Sequence, residues 1–149
     1  MNSCCFAHIA LNCADMNATE HFYRRNFGFK RARVIDLGHE QIVFLKLGDM
    51  YLELFQAQGD APSPKPIKDG HTWSGIRHIA FQVADVDSAL AEMEESVPVT
   101  FGPFSFDNFI PGWRTVWVRD PDGNIVEISQ GFVDQLTPPL DQELADACP

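Results

Sequence analysis

The chain has 149 residues, 45% hydrophobic and 21% charged, which suits one compact domain or two small fused halves whose core needs no disulfide staples. A formal net charge of −10 and a pI near 4.7 exclude a non-specific nucleic-acid binder, which needs a positive footprint. No apolar run is long enough to span a bilayer, and the first residues lack the charged-then-apolar layout of a signal peptide, so the expected location is the cytoplasm, away from the membrane.

The first alternating segment runs from His8 to Ala14, with His8, Ala10 and Asn12 on one face and Ile9, Leu11 and Cys13 on the other. Asp15 or Asn17 caps the helix that follows, and Glu20 completes a capping box if Asn17 is the cap. Gly28 after Phe27 is its stop signal. Arg24, Arg25, Lys30, Arg31 and Arg33 cluster here; they read as a solvated helix end or as a docking patch for an anionic group. Strands are expected over 29–37, 40–47 and 50–56, separated by Gly38-His39 and Gly48-Asp49 turns. Tyr51, Glu53 and Phe55 share one face of the last of these. Cys4, Cys5, Cys13 and Cys148 have no CxxC spacing and read as free thiols.

Residues 59–74 hold three of the ten prolines and read as a linker, with His71 and Trp73 either merely exposed or part of a lid or contact surface. A second half follows in the same order. Residues 76–84 are a strand with His78, Ala80 and Gln82 on one face, and 86–95 a helix with Val86, Ala89, Leu90 and Met93 at helical spacing. Strands are expected over 97–101, 113–119 and 125–130, the first two separated by an excursion carrying Phe104, Phe106 and Phe109. The Asp120-Pro121-Asp122-Gly123-Asn124 stretch is a turn by composition. Residues 133–149 carry four acids and no Lys or Arg, and read as an extended acidic tail.

The chain therefore repeats itself. His8-Ile9-Ala10 returns as His78-Ile79-Ala80 at an offset of 70 residues, and Leu52-Glu53-Leu54 returns as Val126-Glu127-Ile128 at an offset of 74. The organisation is a βαβββ module over 5–58, the linker over 59–74, a second βαβββ module over 75–132 and the tail. Alternation puts His8, Glu53, His78 and Glu127 on the faces turned away from the helices. Two such halves paired about a pseudo-twofold axis would bring all four to one cleft. A carboxylate inside an apolar strand is costly unless paired or bound to a cation. Two imidazoles and two carboxylates suit one divalent Zn, Ni, Co, Mn or Fe(II).

These marks, with the Asp-Pro-Asp-Gly-Asn turn and the Val-Glu-Ile strand after it, resemble the vicinal oxygen chelate superfamily over about residues 6–132. That superfamily includes glyoxalase I, extradiol dioxygenases and bleomycin-resistance proteins. The resemblance implies an α+β fold in which two βαβββ modules form a curved mixed sheet around a metal cleft, helices outside. It implies His8, Glu53, His78 and Glu127 as metal ligands, with Glu53 and Glu127 also moving protons. Asn12, Tyr51, Phe55, Gln82, Trp113 and Trp117 would line the cleft. Four ligands resemble the glyoxalase I branch most, implying a lyase or isomerase acting on a small molecule that chelates the metal through vicinal oxygens. The alternatives are an Fe(II) extradiol-type dioxygenase and a metal-free drug-binding module. The resemblance also implies a homodimer, since pairing modules completes the cleft.

Overall fold

In a computed structural model of the chain, residues 4–60 and 64–139 are described. The elements run β1 (His8–Cys13), α1 (Met16–Phe27), β2 (Lys30–Asp36), β3 (Gln41–Leu47), β4 (Met50–Gln56), β5 (Ile79–Gln82), α2 (Val86–Glu92), β6 (Val99–Ser105), β7 (Arg114–Arg119) and β8 (Ile125–Gln130). They build two four-stranded mixed sheets of the same topology, β1-β4-β3-β2 and β5-β8-β7-β6. In each the first strand runs parallel to the last and the other pairings are antiparallel. This is the α+β arrangement of two βαβββ modules that the repeat implies.

Each helix starts at the aspartate that closes the repeated motif. Asp15 accepts from the backbone N–H groups of Asn17 and Ala18 at 2.9 and 3.2 Å, and Asp85 from that of Ser88 at 2.7 Å, satisfying donors that have no partner in the first turn. Asp15 rather than Asn17 is thus the cap, and Glu20 makes no capping box. Helix α1 stops at Gly28, whose φ of 75° is left-handed and lets its N–H reach the Arg24 carbonyl at 3.2 Å. The last strand of each half is tied to the start of its helix by a glutamine: Gln56 donates to the Ala14 carbonyl at 2.8 Å, and Gln130 accepts from the Val86 N–H at 2.6 Å.

The apolar sides of the strands meet in one core. Leu11, Cys13, Val43, Leu45, Leu52 and Leu54 of the first sheet and Ile79, Phe81, Val116, Val118, Val126 and Ile128 of the second are buried in one continuous core. Helix α1 is shared between the halves, because the Phe81 ring centroid lies 4.5 Å from that of Phe27 and 6.4 Å from that of Tyr23. Cys13 sits inside this core, where burial pushes its thiol up to about 11, while Cys4 and Cys5 are exposed free thiols.

Three boundaries differ from expectation by three residues or more. Strand β5 begins at Ile79 rather than 76, because 75–78 are held by the linker instead of by β8. Helix α2 ends at Glu92, three residues short. Strand β6 continues to Ser105, through what reads in sequence as an excursion; it is an edge strand with two register shifts, where Pro103 costs no ladder bond. The tail residues up to 139 carry no helix or strand; 140–149, with Cys148, lie outside the described residues. No helix among the described residues is long and apolar enough to cross a membrane.

Candidate functional site

The two histidines and two glutamates form two equivalent pairs. In the first sheet Ala10 stands opposite Glu53 on the neighbouring strand, and in the second Ala80 stands opposite Glu127. Alanine at that place leaves room above the sheet, so the histidine two residues earlier reaches diagonally across. His8 Nε2 lies 3.2 Å from Glu53 Oε2, and His78 Nε2 lies 2.9 Å from Glu127 Oε2. Both histidines are on the sheet face turned away from the core, His8 within β1 and His78 immediately before β5.

The second pair is the better enclosed. Glu127 is buried and also accepts from the Trp117 indole N–H at 3.0 Å. His78 Nδ1 lies 3.0 Å from the Asp69 carbonyl oxygen, which can only accept, so Nδ1 carries a proton and Nε2 is turned to Glu127. The Glu127 carboxylate, more than any other neighbour, raises the His78 pKa above its ordinary value. Without a cation between them, a proton on Nε2 is what joins this nitrogen to the carboxylate.

The Asp69 carbonyl is held in place by its own surroundings. The Asp69 carboxylate binds the Arg77 guanidinium and, at 2.9 Å, His71 Nδ1. The Thr100 hydroxyl donates to the Lys68 carbonyl at 2.6 Å, and Arg119 to that of Pro66 at 2.8 Å, fastening the segment to β6 and β7. At Gly70, with φ of 87°, a Cβ would stand 1.9 Å from the Arg77 carbonyl oxygen. This segment, read in sequence as linker, is therefore a strap that aims His78. The Asp-Gly pair at 69–70, followed by His71, is the signal for a tight turn that was open to reading.

A cavity of about 590 Å³ opens beside the second pair and brings His78, Gln82, Trp113, Trp117 and Glu127 together. The other candidates lie on the first sheet. In β1 and β4 His8 stands opposite Tyr51 and Asn12 opposite Phe55, and the Lys46 ammonium sits 5.1 Å over the Tyr51 ring. Asn12 and Phe55 border a separate cavity of about 690 Å³ near Asp122. Two of the five basic residues of the cluster serve structure: the buried Glu20 carboxylate takes Arg31 at 2.6 and 2.7 Å and Arg24 at 3.0 Å.

Each pair offers one imidazole nitrogen and one carboxylate, a donor set that suits a borderline divalent metal, and His78 has the outer hydrogen bond that metal-binding histidines need. Two donors are half of a four-ligand set. Among the described residues no three His, Cys, Asp or Glu come together, so a single chain does not gather all four candidates into one cluster.

The sequence profile of the glyoxalase/bleomycin resistance protein/dioxygenase superfamily matches residues 6–128. The chain belongs to this superfamily. It is 32% identical to a lactoylglutathione lyase from Agrobacterium tumefaciens, whose crystal structure superposes with a TM-score of 0.59 over 88% of this chain and 96% of that one. It is 27% identical over 122 residues to the uncharacterized protein YwkD of Bacillus subtilis, a match spanning 77% of this chain and 88% of the relative. TnmS3, an antibiotic binding protein from Streptomyces sp. CB03234, shares the fold with a TM-score of 0.64 at 22% identity, over 89% and 99% of the two chains. The superfamily thus spans enzymes and binding proteins on one scaffold, and the choice between them belongs to the site.

Proposed function

We propose that the protein is a metal-dependent lyase or isomerase of the glyoxalase I type. It would move a proton on a small substrate that presents two adjacent oxygens. The observation that carries this reading is the duplicated His–Glu pair. A drug-binding scaffold has no use for a carboxylate repeated at matching places in two apolar strands and aimed both times at a histidine Nε2.

The ligands would be His8 and Glu53 from one protomer with His78 and Glu127 from its partner in a homodimer. This accounts for two pairs that stay separate within one chain. A divalent metal held there would supply Lewis acidity for the charge that develops on the substrate oxygens. The protein does the rest. His78, fixed by the Asp69 carbonyl, keeps Nε2 directed at the site. Glu53, less enclosed than Glu127 and free of the indole bond, is the carboxylate better able to swing and take the substrate proton. Glu127, held by Trp117, is the better anchored ligand.

The test has two parts. Metal analysis of the purified protein is expected to find close to one divalent ion per His8/Glu53/His78/Glu127 set. Glu53→Gln is expected to keep the metal and lose turnover of a 2-oxoaldehyde adduct or 2-hydroxy acid substrate by about 10²–10⁴-fold, the usual contribution of a general base. Full activity in both Glu53→Gln and Glu127→Gln would overturn the carboxylate-base mechanism. Protein that takes up no divalent metal would instead be a binding module, a reading that the aromatic lining of the cavity by Trp113 and Trp117 also suits.

A further inference from the structure

We propose that the substrate carries a phosphate arm, which the first sheet receives on Lys30, Arg33 and Lys46 beside the His8–Glu53 pair. This rests on the reading of that pair as half of the reaction centre and adds the chemical class of what reaches it. The sheet register places the three cations. Residues paired across a ladder share a face. Lys46 stands opposite Tyr51, which stands opposite His8, and Lys30 stands opposite Lys46. One row across the sheet therefore reads His8, Tyr51, Lys46, Lys30. In the next row Glu53 stands opposite Phe44, and Phe44 opposite Arg33. Both rows lie on the face turned away from the core, since the Phe44 ring meets that of His8 edge-on at 6.3 Å.

Arg33 is on that face only because β2 is irregular. In an unbroken ladder it would stand opposite Val43, on the core side. The register shift between Arg31 and Arg33 moves it opposite Phe44, while Arg31 stays on the helix side with Glu20. Such a gathering has a cost. Lys30 and Lys46 are like charges directly opposite each other, which weakens a strand pair. The chain has 21 acids to 11 Lys and Arg, yet among the described residues none forms an ion pair with Lys30, Arg33 or Lys46. All three are exposed.

The second sheet has no such group. Its counterpart of Arg33, opposite Trp117, is Phe101. Its counterpart of Lys46 is Arg119, which is spent on the Pro66 carbonyl at 2.8 Å. The His–Glu pairs repeat and their flanks do not, so the free cations belong to one end of the site. Reach and chemistry fit an arm of a few atoms. Lys46 lies two strands from His8, about 10 Å at the usual spacing, but its ammonium sits over the ring of the intervening Tyr51, 5.1 Å from the centroid. A phosphate monoester brings a double charge and oxygens in several directions, so ammonium and guanidinium groups from two strands can each find one. A planar carboxylate brings a single charge and fewer oxygens.

Glycerate, malate and 3-phosphoglycerate separate these contributions. Each presents a 2-hydroxy carboxylate; glycerate has no charged arm, malate a carboxylate arm and 3-phosphoglycerate a phosphate arm. Calorimetric titration of the zinc-loaded wild-type protein is expected to give 3-phosphoglycerate about tenfold tighter binding than glycerate, with malate between them. Lys46→Gln and Arg33→Gln, both at exposed positions, are each expected to lower that ratio, and together to bring it within about twofold. Equal affinities in the wild type overturn the phosphate arm and leave the metal reading standing. A preference that survives the double substitution does the same, since it is what direct binding of phosphate to zinc would give. Malate as tight as 3-phosphoglycerate overturns the phosphate class. A preference that is unchanged by removal of zinc and lost in the double variant keeps the cation row and overturns the metal reading. Failure of every probe to bind overturns both.

Discussion

The Tyr23 hydroxyl donates a hydrogen bond of 3.0 Å to the Asp120 carboxylate, joining the helix of the first half to the turn of the second. The partner turn residue Asp122 reaches back the same way, accepting from the Ala14 N–H at 2.6 Å and from the Thr19 hydroxyl. The turn that composition marks only as a bend is the clamp between the halves. Tyr23→Phe is expected to lower stability by about 1–2 kcal/mol, since Asp120 keeps its bonds from Asn124. Asp122→Ala is expected to cost more, because it strands two donors at once. Urea unfolding measures both, and wild-type stability in Asp122→Ala would show that the clamp carries nothing.

Glu20 is 4% exposed, and the Arg31 guanidinium bound to it, helped by Arg24, holds its carboxyl below the ordinary value of 4.5. A depressed acid stabilises the fold above its unfolded pKa, and that contribution is lost as pH falls through the folded one. Asp120 acts in the opposite sense: burial raises its carboxyl, so the native state keeps a proton longer and stability falls as pH rises above the ordinary 3.8. The wild-type acid profile mixes the two. The difference between wild type and Glu20→Gln isolates the first: roughly 2 kcal/mol at pH 7, shrinking steadily below pH 4.5. A difference that stays constant down to pH 3 would contradict the ion-pair assignment.

If the two His–Glu pairs belong to one site shared between protomers, inactive variants must complement each other. His8→Ala and His78→Ala homodimers are each expected to lose metal and activity. In the mixed dimer one site lacks both histidines and the other keeps all four ligands. Co-expression of the two variants should therefore restore about one metal per mixed dimer, with strong rescue of turnover. No rescue in verified mixed dimers would place each complete site, or none, within one chain.

The strap predicts an effect at a residue that touches no ligand. Gly70→Ala would put a Cβ against the Arg77 carbonyl oxygen and lift the Asp69 carbonyl from His78 Nδ1. Loss of such an outer hydrogen bond typically weakens metal binding about 10–100-fold. Competition with a chromophoric chelator measures this directly. Unchanged affinity in a folded Gly70→Ala protein would mean that His78 needs no such support.

Much of this protein is legible in one dimension because strands and helices carry their own periods. The twofold alternation around His8, Glu53, His78 and Glu127 placed each on the face away from the core, and the offset of 70 residues announced two equivalent halves before any contact was known. The diagonal His–Glu reach also follows from the repeat, since Ala10 and Ala80 recur with it. Alternation says nothing about distances between sheets. Only tertiary packing kept the two pairs apart within the chain, turned residues 66–70 of the linker into the strap behind His78, made the Asp120–Asn124 turn a clamp, and packed Phe106 and Phe132 against Trp113. Each of these joins segments far apart in sequence through loops with no period of their own, so the contacts that decide them are set by how the halves dock and not by any local pattern.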